Sequence, residues 1–297
     1  MDHRTVIRSL SAEQRAHLVR KSDRQGLAHL AGHWGFILLF GALIVAQVPY
    51  WPLLLLPQGL LIVFLFTLLH ETSHRTAFEK VWLNKMVARI CGMLIVLPPE
   101  WFRYFHFEHH RHTQDPERDP ELREAKPETL LGFLVHISGL PVWRYQVLTL
   151  LRNTFGHCDD AFVPRSGRVT VRKEAQIMIL LYSLIGLMSV AFGSAALIYA
   201  WVLPALLGQP FLRLYLMAEH GGCPQESNMF ENSRTTFTNW VIRKIAWNMP
   251  FHAEHHAFPA VPFYRLPNLH QLTRPHLQKT ENGYVRFHRE YVAELMQ

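Results

Sequence analysis

Two long stretches of this 297-residue chain contain no charged side chain. From Gln25 to His70 there is no Asp, Glu, Lys or Arg, and from Ala175 to Leu212 there is none either. Each gap is far longer than the ~20 residues needed to cross a ~30 Å hydrocarbon core. That distribution excludes an ordinary soluble domain, although the apolar fraction of 49% would suit one. Cysteine is scarce as well. Cys91, Cys158 and Cys223 are scattered and odd in number, which excludes a disulfide framework, a zinc cysteine set and an iron–sulfur cysteine set. There is no Rossmann glycine fingerprint and no haem-binding domain, so any redox chemistry takes its electrons from another protein. Internal repeats and low-complexity segments are absent, and the polar, charged first 24 residues do not read as a cleaved signal peptide.

The first gap reads as a membrane hairpin, Leu30–Val48 and Trp51–Leu69 about a turn at "PYWP"; the second folds back near Gly193-Ser194. All 30 Lys and Arg lie in residues 1–24, 75–173 and 213–289. By the positive-inside rule both termini and the middle loop are cytoplasmic. The expectation is an all-α integral membrane protein with about four transmembrane helices in two hairpins and a cytoplasmic helical cap. It forms a single domain over 1–297: an N-terminal segment 1–29, hairpins 30–69 and 175–212, and cytoplasmic segments 70–174 and 213–297. The net charge of +7 then belongs at the membrane face, against anionic headgroups. No nucleic-acid motif accompanies it. Met86–Pro98 is too short to span and reads as re-entrant or interfacial. Residues 130–150, with Trp143, Arg144 and Tyr145, read as an amphipathic segment on the membrane surface, and either could roof a site. The stretches "LLLLPQGLLIVFLF" and "MIMILLYSLIGLM" are expected to face lipid, and "TQDPERDPEL" to be a helix-ending turn.

What the chain has in quantity is histidine, with 19 residues. Four short clusters hold many of them: His70 and His74 in "HETSH", His106, His109, His110 and His112 in "HFEHHRH", His220 in "AEHGG", and His252, His255 and His256 in "HAEHH". Residues three and four apart share one face of a helix, so each multi-histidine cluster can aim at a common point. All four clusters fall on the predicted cytoplasmic side. Neutral imidazole is the commonest metal ligand. About nine nitrogens are too many for one tetrahedral zinc, whereas two ions with four or five ligands each would use them, and imidazole suits iron. Glu71, Glu108, Glu219 and Glu254 each adjoin a cluster histidine. Helical neighbours point ~100° apart, so these glutamates fit as hydrogen-bonding partners of ligands better than as ligands. His112 lies where the helix face has turned away, and His270 ends a proline-flanked segment suited to structure. His33, inside the first apolar span, reads as a hydrogen-bonded histidine. His3, His17, His29, His136, His157, His276 and His288 have no ligand spacing around them.

These boxes resemble those of the membrane fatty acid desaturase and hydroxylase family, from about Gly59 to His270. "NMPFHAEHHAFPAVPFYRLPNLH" is similar to the last box of bacterial acyl-lipid desaturases. The resemblance implies a non-haem di-iron centre at the cytoplasmic face of a membrane such as the bacterial inner membrane. It implies His70, His74, His106, His109, His110, His252, His255 and His256 as ligands, and His220 matches a further histidine that relatives place before the last box. It also implies dioxygen as co-substrate, a lipid or fatty acyl substrate, and a separate ferredoxin, rubredoxin or flavoprotein reductase. Some relatives carry Asn four residues before the His220 position, where this chain has Leu216, and "AEHGG" is closer to the "EHYG" of membrane alkane hydroxylases.

An unactivated C–H bond has no acidic proton for a side chain to remove, so the chemistry falls to a cofactor. Fatty acyl desaturation is the leading expectation. Hydroxylation or ketolation of an alkyl, acyl or carotenoid substrate is the alternative. A metal transporter is remote, because transport sites lie near the bilayer midplane and these spans hold almost no ligands.

Overall fold

The computed structural model describes residues 1–123 and 126–296. Helices dominate. The β structure described is a parallel pair of two-residue strands, Thr235–Thr236 with Thr280–Glu281, a small departure from the all-α expectation. The helices that position the histidines are α1 (Asp23–Val45), α2 (Leu55–Val63), α3 (Leu65–Ser73), α4 (Val81–Ile95), α5 (Pro99–His112), α6 (Leu130–Ile137), α7 (Leu140–Thr154), α8 (Arg168–Ala191), α9 (Leu203–His220), α10 (His252–Ala257), α11 (Leu266–Thr273) and α12 (Tyr284–Leu295).

Among the described residues, three helical runs are long and apolar enough to cross a membrane: Ala12–Val45, Trp51–Ser73 and Arg168–Ala191, with mean hydropathies of 1.7, 2.3 and 1.7. The chain reverses between the first two through Gln47 and Tyr50, both left-handed, at the expected turn. It reverses again at Gly193 (φ 55°), after which α9 returns. This returning arm carries Gln209, Pro210, Arg213 and Glu219 and is not among the three. A fourth span is reached only if α4 and α5, bent by 98°, count as one broken span. The bend has a local cause. Val96 closes α4 in the left-handed region, and Pro98-Pro99 follows; Pro99 lacks an N–H to donate but suits the first position of α5.

The two apolar stretches play different parts. Only 11% of the α8 window is buried, as expected of a helix facing lipid, whereas 56% of the Trp51–Ser73 window is buried. Leu61, Ile62, Val63, Leu65, Leu68 and Leu69 of that arm are core residues. The arm is central because α9 lies directly on it: a Cβ on Gly59 would overlap the Pro204 carbonyl, and one on Gly208 would overlap the Gly59 backbone. His33 ties α1 to the same arm. Its Nε2–H donates to the Leu61 carbonyl (2.8 Å), and its Nδ1 accepts the Trp247 indole N–H (3.0 Å). The segment expected on the membrane surface forms α6 and α7 about Gly139 (φ 73°), with Leu131, Leu134, Leu140 and Leu148 exposed.

Candidate metal centre

The four histidine clusters meet. Five imidazoles, those of His70, His74, His106, His110 and His255, offer nitrogens within 4.8 Å of one another; those of His109, His220 and His256 form a second such group. His252 joins the second, its Nε2 2.9 Å from that of His220. The groups adjoin where the His110 and His256 rings stack at 4.1 Å. His112 lies outside both, with Nε2 3.6 Å from Glu108.

The division follows from helix geometry, and it refines the expectation that each box shares one target. On α5, His106 and His110 are four apart and serve the first group, while His109 is rotated off that face into the second. On α10 the pattern inverts: His252 and His256, four apart, serve the second group and His255 the first. Each box helix therefore lies between the two groups. α3 supplies His70, and its C-cap residue His74 lies one turn further along the same side. His220 ends α9.

In the second group every Nδ1 faces an outer partner. His109 Nδ1–H reaches both Asp119 oxygens (2.9 and 3.1 Å). His220 Nδ1–H donates to the Asn232 carbonyl (3.0 Å). His256 Nδ1 meets Thr113 Oγ1 (3.2 Å), whose own hydroxyl donates to the His109 carbonyl (2.8 Å). Glu219 Oε1 lies 3.3 Å from His252 Nδ1. With Nδ1 of His109, His220 and His256 hydrogen-bonded, their Nε2 lone pairs are left for the interior, the arrangement that orients metal-bound histidines; His252 Nδ1 makes no hydrogen bond and only lies near Glu219. In the first group, Nε2 of His74 meets Nε2 of His106 at 2.7 Å and Nε2 of His255 meets that of His110 at 3.2 Å. Both nitrogens of His70 are buried without a hydrogen-bond partner. Leaving such groups unsatisfied costs about 1–3 kcal/mol each. Convergent, unpartnered nitrogen donors in a buried space fit metal cations. Burial first, and then the surrounding imidazoles, pushes His252, His255 and His256 well below the ordinary histidine pKa, which keeps them in the neutral, ligating form.

The four glutamates separate. Glu254 is fully buried and binds Thr235 Oγ1 and His270 Nδ1, so His270 anchors α11 to the last box. Glu71, also buried, accepts the Phe263 backbone N–H (3.0 Å). Glu219 faces His252. Glu108 instead turns to Arg111 and His112. Asp119, Thr113 and Asn232 were not singled out from sequence. The available signal was "TQDPERDPEL", read only as a turn: its Asp119 lies ten residues beyond His109, and burial at 3% turns that loop acid inward.

The sequence pattern of the fatty acid desaturase family matches residues 46–288. A chloroplastic omega-3 fatty acid desaturase of Glycine max is 25% identical over 76% of this chain and 54% of its own length. An endoplasmic-reticulum acyl-lipid omega-3 desaturase (cytochrome b5) of Arabidopsis thaliana is 23% identical over 80% and 68%. A sphingolipid delta(4)-desaturase of Drosophila melanogaster is 28% identical over 69% and 60%. This chain thus matches little more than half of the Glycine protein. The match spans most of the chain and every histidine cluster: the chain belongs to the fatty acid desaturase family.

Proposed function

We propose that this chain is an oxygen-dependent desaturase of a fatty acyl chain, working at two iron ions held by the two histidine groups. The observation that carries the reading is the convergence of nine imidazoles from four distant segments into two adjoining groups of five and four, in a family whose matched members are named as fatty acyl and sphingolipid desaturases. His70, His74, His106, His110 and His255 would hold one ion, and His109, His220, His252 and His256 the other. Bound iron would supply the dioxygen activation that acid–base side chains cannot.

The protein's own task is placement. Asp119, Asn232 and Thr113 fix the tautomers of the second group, and Glu254 locks α10 to its neighbours. Phe102 stacks on the His106 ring at 5.4 Å and keeps that side apolar. A cavity of about 310 Å³ lined by Leu94, Val96, Trp143, Val147, Ile179 and Trp201 suits a hydrocarbon chain. It joins the α4–α5 bend to α7, the two segments expected to roof the site. For each double bond, two C–H hydrogens leave adjacent carbons, and one dioxygen with two electrons and two protons completes two waters. A separate one-electron carrier must deliver those electrons: a ferredoxin, a rubredoxin, a flavoprotein reductase, or a cytochrome b5 such as one relative's name carries. On the positive-inside rule, the histidine end, both termini and the 70–174 loop would face the cytoplasm, with 1–297 acting as one unit of two hairpins and a cap.

The test is expression in a bacterium with a supplied reductase, followed by mass spectrometry of whole-cell lipids. An acyl chain lighter by two hydrogens, in a His109-dependent manner, supports desaturation. A chain heavier by one oxygen, or a change confined to a carotenoid or alkane, refutes it and favours hydroxylation, toward which "AEHGG" and Leu216 lean.

A further inference from the structure

Beside the first histidine group, and outside it, lies a cleft that the proposed reaction does not use. Arg75 and Arg103 flank it from the end of α3 and from α5, Lys85 and Arg89 from α4. No ion pair reaches any of these four cations among the described residues. Two acids also line it, Glu100 and Glu174, the latter accepting the Glu100 N–H at 2.7 Å, so cations outnumber acids four to two. Arg103 Nε–H donates to the Ser73 carbonyl (3.0 Å), which leaves its terminal nitrogens for another partner. Arg75 has φ 58° just past His74, the cap of α3, a left-handed position that glycine or asparagine normally fills. Its side chain lines the cleft.

The depth of the cleft is set by sequence. One charge-free stretch ends at His70 and the other begins at Ala175; the cleft is lined by Ser73, Arg75 and Glu174, just past both limits. This is the level where hydrocarbon gives way to headgroups. α4 has the matching exposed face. Trp82 (58% exposed), Met86 (42%) and Ile90 (38%) follow one another at helical spacing, interleaved with Lys85 and Arg89. Apolar side chains of such a helix enter the acyl layer while cations on the same face reach phosphates, and tryptophan favours that boundary. The enclosed space is only about 20 Å³, room for a phosphoryl oxygen and not for a chain.

We infer that the Arg75–Lys85–Arg89–Arg103 cleft binds the phosphate of an anionic phospholipid headgroup at the cytoplasmic leaflet. The inference rests on the membrane placement of the spans and not on the iron chemistry, so it is tested by binding alone. The protein is reconstituted in nanodiscs of phosphatidylcholine with a minor fraction of phosphatidylglycerol, and retained lipids are measured by native mass spectrometry. The expected result is selective retention of phosphatidylglycerol, falling about fivefold for Arg89→Gln and by more for Lys85→Gln/Arg89→Gln. Arg289→Gln, on the exposed face of α12, should change nothing. Equal retention of both lipids by the wild type, or an equal loss in Arg289→Gln, overturns the inference. Binding of soluble coenzyme A or inorganic phosphate that depends on Arg89, without any lipid preference, overturns it in favour of a soluble phosphate ligand. Lipid selectivity with no desaturation refutes the proposed reaction and leaves the cleft standing.

Discussion

Replacing Asp119 with Asn should loosen the second metal position without touching any of its proposed ligands. Asp119 is buried and accepts three N–H groups: His109 Nδ1 on both oxygens, the Glu121 backbone on Oδ1 (2.9 Å) and the Gln114 backbone on Oδ2 (2.8 Å). Burial alone would raise its pKa, but the His109 N–H and these backbone donors outweigh it and hold the carboxyl below its usual range. An asparagine keeps the shape and loses one acceptor. Whichever way the amide turns, its NH₂ faces a backbone N–H, a donor against a donor, which costs about 1–3 kcal/mol. The loss of charge also weakens the hold on His109 and frees its ring to turn. Outer partners of metal-bound histidines typically change metal affinity or activity about 10- to 100-fold, and the same range is expected here. The assay is iron retained per chain across a chelator series, with Mössbauer spectra to show whether one iron environment changes and the other does not. If the Asn variant keeps the wild-type iron content at every chelator concentration, with unchanged spectra, Asp119 has no part in positioning His109.

Protein purified without chelators should carry about two irons per chain, because five and four nitrogens exceed what one ion accepts; metal analysis giving one zinc and no iron would rule this out. Alanine at His70, His109, His220 or His255 should abolish lipid desaturation, whereas His112→Ala and His276→Ala should retain much of it; full activity in His220→Ala would remove the α9 terminus from the ligand set. Gly59→Ala should destabilise the α2–α9 crossing by about 1–3 kcal/mol, since its Cβ would overlap the Pro204 carbonyl. A thermal unfolding midpoint in detergent that matches the wild type would show that the helices separate there at no cost.

Sequence made the convergent histidines legible and left their partition hidden, for a physical reason. HxxHH states that three imidazoles lie near one side of a helix. Positions four apart align more closely than positions three apart, but which target each pair meets depends on where the other helices cross. α5 and α10 cross between the groups with opposite preferences, so the same spacing sends His106 and His110 one way and His252 and His256 the other. The spans show the same limit. Charge-free runs marked the apolar stretches, and the chain takes positive φ at Tyr50 and Gly193, where turns were expected. Hydropathy could not tell that Trp51–Ser73 is half core while α8 faces outward, because an apolar side chain suits lipid and protein interior equally. Asp119 was invisible for a third reason. A charged, proline-punctuated loop reads as solvent-exposed until its chain path is known, and here the path folds the acid under His109. A protein of this kind advertises its convergent nitrogen donors through their spacing. The groups that aim those donors come from loops, termini and backbone carbonyls such as that of Asn232, which obey no period. They are found only when each buried Nδ1–H is followed to what accepts it.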